Sequence, residues 1–267
     1  MPLGSAAGYG GGVGITWGQS INYDAWSIPV YYASASDPPR TITATGGTFP
    51  GPYTVAHWPA NAAPASGTDA DVVVIDPTRR YSDEFWAFNP ANDTSGTHIH
   101  YDLQTGAWLG WMRAAGTSFL GGLIRPAEVT AGVIPHVLAI ATSGVTAPPG
   151  GACPIPPAVG CDGSQEAGLM AIPPGAPKPT LSPLGSAIWD TLTKYGAYAV
   201  DNAGGNVFYA EAPDGDRASV DPAYQAALNL AAAEMPTVMS HLVWVTNNSP
   251  GQWGGPGARV ASPAPAF

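Results

Sequence analysis

The chain is poor in charged residues. Lysine, arginine, aspartate and glutamate make up 10% of its 267 residues, against about 25% in ordinary soluble domains. Only nine residues are lysine or arginine, too few to build the clustered positive charge that binds phosphates. We therefore expect neither nucleic acid nor an anionic membrane surface as a partner. The hydrophobic fraction of 45% nevertheless excludes a highly charged disordered chain.

Long apolar runs are also missing. No stretch approaches the roughly 18 consecutive apolar residues of a transmembrane helix, so no membrane span is predicted. The first twenty residues lack the basic start and apolar run of a secretion signal. We expect that a signal has been removed or that the protein leaves the cell another way, as phage structural proteins do at lysis. The predicted location is extracellular, either secreted or on a phage particle.

Cysteine is scarce as well. Cys153 and Cys161 enclose PIPPAVG, whose prolines and glycine favour a compact turn that a disulfide could close. Two free thiols are the alternative. Two cysteines cannot complete a four-thiolate zinc site. A disulfide would indicate an oxidising destination.

Glycine, proline and aromatic residues are abundant instead. The 34 glycines and 29 prolines punctuate short apolar or alternating runs, of which DVVVID at 71–76 is typical of a buried strand. This pattern predicts a mainly β chain, namely an antiparallel, jelly-roll-like β-sandwich over residues 26–248 with two or three short helices on its edges. Residues 1–25 and 249–267 are Gly-rich or Gly/Pro-rich and lack periodicity. We predict an N-terminal arm and a C-terminal tail there, through which a homo-oligomer could form.

Three segments carry helix start and stop signals. Pro126 opens a short helix that ends at Gly132, and Ser182-Pro183 opens a longer one that ends at Gly196. Asp221-Pro222 opens the third, which we expect Pro236 to stop.

Several segments together resemble a family of secreted bacterial hypothetical proteins. GGLIRPAEVTAGVIPHVL is similar to that family's GL(I/V)RxxEVxxGxIxHxL segment, and KYGAYAVDN is similar to its KYGxxxxDN segment. The resemblance implies secretion and a β-rich fold but no reaction, because no activity is established for the family. The matching positions are Arg125, Glu128, His136, Asp201 and Asn202; Asp102 also matches, whereas His98 does not.

Two histidines one residue apart suggest a metal site. His98 and His100 point to one face of an extended strand, as in the HxH start of a cupin site, with His136 or Asp102 available as further ligands. The alternative is ordinary alternation of polar residues on a half-solvated strand. The sequence therefore identifies no cofactor, and a divalent metal ion is one possibility.

Acid–base chemistry is a second hypothesis. Asp102, Glu128 and Asp201 with His136 supply the residue types of a polysaccharide hydrolase or lyase. Each also has a structural interpretation, such as Glu128 in a helix first turn or Asp201 in a turn sequence. Motifs for a serine nucleophile, a zinc protease or a nucleotide-binding loop are absent.

Binding is the third hypothesis, and the predicted function. Trp108 and Trp111 could stack on sugar rings, and Arg125, Tyr195 and Asn202 could hydrogen-bond to them. We predict contact with polysaccharide or another extracellular polymer, as a binding or structural module. The alternatives are a polysaccharide-cleaving enzyme and a self-assembling structural subunit.

Overall fold

The computed structural model describes residues 1–13, 18–105, 108–109, 112–143, 168–212, 221–249 and 251–262. The strands and helices in these ranges follow one another in this order: β1 (Tyr9–Gly12), β2 (Gln19–Asn22), β3 (Val30–Tyr32), β4 (Arg40–Ala44), β5 (Gly51–Val55), β6 (Val72–Ile75), β7 (Tyr81–Trp86), β8 (Thr94–Ser95), β9 (Thr97–Asp102), β10 (Trp108–Leu109), α1 (Pro126–Ala131), β11 (Leu138–Thr142), β12 (Leu169–Ala171), α2 (Pro183–Lys194), β13 (Ala197–Asn202), β14 (Asn206–Tyr209), α3 (Pro222–Met239) and β15 (Val243–Val245). The predicted mainly β chain with three helices is confirmed.

The strands form three sheets. The large sheet has seven strands in the order β1-β15-β12-β13-β11-β14-β2, the middle sheet has five in the order β10-β9-β7-β6-β3, and the small sheet has three in the order β5-β4-β8. Antiparallel pairs dominate, but β11–β13, β14–β2, β3–β6 and β4–β8 are parallel. The sheets are therefore mixed rather than purely antiparallel. Parallel neighbours need long connections, and the β3–β6 pair, for example, is joined through the β4–β5 hairpin.

The large and middle sheets pack face to face. Val73 of β6 and Ile99 of β9 share one hydrophobic core with Val200 and Val207 of the large sheet. Successive residues of β11 alternate between the two faces of the large sheet, so that Ala139 enters this core while its neighbours enter the next one. This shared core fixes the position of one sheet relative to the other and so positions the site described below.

Two further layers cover the outer faces. Ile188 of α2 and Leu228 of α3 pack with Ile140 against the other side of the large sheet. Ile42 of the small sheet packs with Phe85 against the other side of the middle sheet. The order of layers is helices, large sheet, middle sheet and small sheet. No helix in the described ranges is long and apolar enough to cross a bilayer.

The predicted helix starts are confirmed. Proline occupies the first turn of each helix, and the side chains of Ser182 and Asp221 accept backbone N–H groups at the starts of α2 and α3. The predicted end of α3 was wrong, because the helix continues through Pro236 to Met239. Proline removes one hydrogen bond there, but Met235, Val238 and Met239 are buried in the core and hold the last turn.

The N-terminal segment that was predicted as an arm contributes strands. β1 pairs with β15 and β2 pairs with β14, both at edges of the large sheet. Leu3 is completely buried, and Gly4 forms a β-bridge with Arg259 of the C-terminal segment. The strand pairs and the bridge are backbone contacts, which explains why a glycine-rich sequence without side-chain periodicity did not predict them.

Candidate functional site

A cleft of about 710 Å³ opens where the large and middle sheets diverge. One wall comes from the large sheet, at the ends of β2 and β13, the turn Ala203–Gly205 and β14. The other comes from the middle sheet, at the chain before β6 and the end of β7, together with the loop that holds Met112–Ala114. This volume is typical of sites for small ligands. We call it the intersheet cleft.

Two exposed tryptophans line the intersheet cleft. Trp26 is 48% exposed and Trp86 is 41% exposed, although large aromatic side chains are normally well buried. Each ring rests on a glycine: a Cβ atom would lie 2.9 Å from Trp26 Nε1 if added to Gly67, and 2.3 Å from Trp86 Cε3 if added to Gly96. The Trp26 indole N–H also donates to Thr68 Oγ1 over 3.1 Å. Both rings are therefore held in place while their outer surfaces stay accessible.

Aspartates approach the cleft from both walls. Asp69 and Asp71 lie just before β6, and Asp201 lies near the end of β13 on the opposite wall. Asp71 is only 4% exposed, and its Oδ1 atom has no hydrogen-bond partner among the described residues. Burial raises the pKa of Asp71 well above its ordinary value; Arg113 opposes this rise, and the nearby Asp69 and Asp201 add to it. The Asp71 carboxyl therefore keeps its proton at pH values at which exposed aspartates are ionised.

A buried arginine forms the floor of the cleft. The Arg113 guanidinium lies 4.1 Å from the centre of the Tyr209 ring and donates to the carbonyl of Phe119 over 3.1 Å. The chain that follows Arg113 is held by the buried Glu84, which accepts hydrogen bonds from Ser118 Oγ over 2.5 Å and from the Phe119 backbone N–H over 2.6 Å. Arg113 is thus rigidly placed, as a preorganised site requires.

Two predicted residues, Asp201 and Asn202, line the cleft, but the other proposed catalytic groups lie elsewhere. Asp102 caps a turn by accepting from the backbone N–H groups of Gln104 and Thr105, and it pairs with Arg80 over 3.0 Å. The Arg80 hydrogen bond, reinforced by those N–H groups, lowers the pKa of Asp102 to about 2. This geometry gives Asp102 a structural role in the turn.

Glu128, His136 and Arg125 form a separate cluster at the start of α1. Glu128 Oε2 accepts from the Arg125 backbone N–H over 2.9 Å, and Glu128 Oε1 lies 2.8 Å from His136 Nε2. The Arg125 side chain instead pairs with the buried Glu211 over 2.9 Å and donates to the Tyr32 hydroxyl over 2.8 Å. None of these residues lines the intersheet cleft as the structure describes it.

Tyr195 and the remaining predicted residues are also away from the cleft. Tyr195 is buried at the end of α2, donates to the Ser262 carbonyl over 2.9 Å and lines another cavity of about 360 Å³. Of Trp108 only the backbone, in β10, is described. Trp111, Cys153 and Cys161 lie outside the described residues.

His98 and His100 share one face of β9, as predicted, while Ile99 enters the core on the other. Both rings contact the same carboxylate: His98 Nε2 lies 3.2 Å and His100 Nδ1 lies 2.8 Å from Asp83 Oδ1. The Tyr53 hydroxyl lies 3.1 Å from His100 Nδ1, whereas His136 is paired with Glu128. In the described part of the chain, no group of three or more histidine, cysteine, aspartate or glutamate residues is arranged to hold a metal ion.

The Asp83 carboxylate should control the titration of His100. Its hydrogen bond raises the pKa of His100 against the opposing effect of burial. We expect Asp83→Asn to lower the pKa of His100, measured by NMR titration of the ring protons. Asp93→Asn, which removes an acid paired with Arg40, should leave the His100 titration unchanged. An unchanged pKa in Asp83→Asn would contradict this assignment.

The sequence interpretation missed Trp26, Asp69, Asp71, Arg113 and Glu84. The run DVVVID was assigned to a buried strand, and its first residue, Asp71, was not singled out. An aspartate that directly precedes four consecutive buried residues is a sequence signal that could have identified Asp71 as a buried acidic residue. That Asp71 and Asp201 line the same cleft could not be predicted, because Asp71 precedes a strand of the middle sheet and Asp201 belongs to a strand of the large sheet.

Comparison of the chain with models of protein families, with curated proteins and with solved structures finds no match. The similarity to secreted bacterial proteins therefore rests on the segments quoted above, and the function has to be inferred from the intersheet cleft.

Proposed function

We propose that this chain is an extracellular or virion-borne protein that binds an uncharged polysaccharide in the intersheet cleft. The observation that carries the proposal is the pair of exposed tryptophans, Trp26 and Trp86, each held against a glycine at a cleft that also contains aspartates and asparagines. Aromatic faces stack on sugar rings, and carboxylate and amide groups bind the hydroxyls around the ring. The two groups together are typical of carbohydrate recognition.

The charge of the cleft supports an uncharged ligand. Asp69 and Asp201 contribute two carboxyl groups beside that of Asp71, whose burial favours its uncharged form, and Arg113 is the one cation among the described lining residues. The Arg113 side chain is buried between the Tyr209 and Phe119 rings, which limits its access to an anionic ligand. Carboxylates repel uronate and sulfate groups, so a neutral glycan fits better than an acidic one.

The test is binding of soluble neutral polysaccharides by the full chain. Xylan, glucomannan and β-1,3-glucan serve as probes, alginate serves as the acidic control, and affinity is measured by calorimetry. We expect binding of at least one neutral probe and none of alginate. Trp26→Ala and Trp86→Ala should each weaken binding by roughly 30-fold, the effect of losing about 2 kcal/mol at a contact of this kind.

Phe49→Ala is the matched control. Phe49 is 58% exposed and does not line the described cleft, so this variant removes an exposed aromatic ring without touching the proposed site. Its affinity should equal that of the unmodified chain. The proposal would be refuted if both tryptophan variants bound the neutral probe as tightly as the unmodified chain, or if the chain bound alginate alone.

A further inference from the structure

We propose that the intersheet cleft also hydrolyses the glycosidic bond of its bound glycan, with Asp71 as the general acid and Asp201 as the general base. The inference rests on the proposed function, because the reaction needs the polysaccharide in the cleft. It adds a reaction to a binding site and assigns the two roles to residues on opposite walls.

The first argument is the position of Asp71. Asp71 is among the residues that line the cleft and is more than nine-tenths buried, and its Oδ1 atom has no hydrogen-bond partner in the described part of the chain. A buried polar atom without a partner is unfavourable and needs an explanation, and a catalytic role is one such explanation.

The second argument is the difference between the two carboxyl groups. Burial favours the protonated form of Asp71, whereas Asp201 is half-buried on the opposite wall and accepts the Asn202 backbone N–H over 2.9 Å. Glycoside hydrolysis requires two carboxyl groups, one as acid and one as base, and environments that differ in burial suit the two roles. Asp69 lies on the same wall as Asp71, and its carboxylate contributes to the raised pKa of Asp71.

The reaction follows from these positions. Asp71 transfers its proton to the glycosidic oxygen, and the bond between that oxygen and the anomeric carbon breaks, with its electron pair leaving on oxygen. A water molecule forms a bond to the anomeric carbon, and Asp201 takes the proton that this water releases. One water is consumed, two chain ends are produced, and proton exchange with solvent restores both aspartates.

The experiment measures new reducing ends released from whichever of xylan, glucomannan and β-1,3-glucan the full chain binds. We expect Asp71→Asn and Asp201→Asn each to lower turnover by at least about 100-fold, the lower limit for loss of a general acid or base, while affinity changes only a few-fold. Asp190→Asn is the control, because Asp190 lies on α2, has a side chain that is 50% exposed and pairs with Lys178, away from the cleft. Its turnover should be unchanged.

A second substrate separates general-acid catalysis from a merely structural effect. An aryl glycoside of the same sugar has a leaving group that departs without protonation, so Asp71→Asn should lose far less turnover on it than on the polysaccharide. Asp201→Asn should lose turnover on both. Equal losses on both substrates in Asp71→Asn would overturn its role as acid. Binding without release of reducing ends would overturn the hydrolase inference and leave the binding proposal intact, and absence of both would overturn both.

Discussion

Replacing Arg125 with alanine should lower the free energy of unfolding by about 3–5 kcal/mol, the usual consequence of removing one partner from a buried ion pair. Glu211 is completely buried, and Arg125 both pairs with it and donates to the Tyr32 hydroxyl. The substitution leaves the Glu211 carboxylate in the interior without this cation. Urea denaturation followed by tryptophan fluorescence measures the change.

Arg80→Ala provides the matched comparison. Arg80 also pairs with a carboxylate, Asp102, but its side chain is 44% exposed. Surface ion pairs contribute about 0–1 kcal/mol, so this variant should unfold at nearly the same urea concentration as the unmodified chain. Similar losses in both variants would contradict the distinction drawn between the buried and the exposed pair.

Asp71→Asn should make the chain more stable at neutral pH. Burial raises the pKa of Asp71 in the folded protein, so the folded state holds a proton that the unfolded state has released. Stability from this group is complete below the ordinary aspartate pKa and is lost as the pH rises towards the folded-state pKa, by at most about 1.4 kcal/mol for each pH unit. Asparagine does not titrate, so the variant should lack this loss.

The measurement is thermal unfolding of both proteins between pH 3.5 and pH 8. The difference in melting temperature in favour of Asp71→Asn should grow with pH. Asp102→Asn provides a control of opposite sign. The pKa of Asp102 is lowered in the folded protein, so its carboxylate stabilises the fold at pH values above the ordinary aspartate pKa. The variant should therefore be slightly less stable than the unmodified chain at neutral pH. A constant difference across the range would contradict the assignment of a raised pKa to Asp71.

Local features of this fold were predictable from sequence. Ser182-Pro183 and Asp221-Pro222 mark helix starts because their side chains and ring geometry act within a single turn. DVVVID reads as a buried strand because four consecutive residues, Val72–Ile75, face two cores. These signals require no knowledge of distant parts of the chain.

Long-range pairing was not predictable. The parallel register of β11 with β13 joins segments separated by β12 and α2, and no short sequence pattern specifies it. The intersheet cleft depends on the same kind of contact, since its aspartates meet only when two sheets pack. Asp201 and Asn202 were found through the resemblance of their segment to secreted proteins, whereas Asp71 has no such signal.

The glycines under Trp26 and Trp86 have a consequence for how this surface can change during evolution. Both indole rings occupy space that any larger residue at position 67 or 96 would claim. A single nucleotide change that turns either glycine into alanine or serine would displace a ring without altering any residue that lines the described cleft. Under the proposed function, ligand preference would therefore be encoded partly at positions 67 and 96, outside the lining of the cleft. Related chains could diverge in what they bind while keeping every lining residue identical.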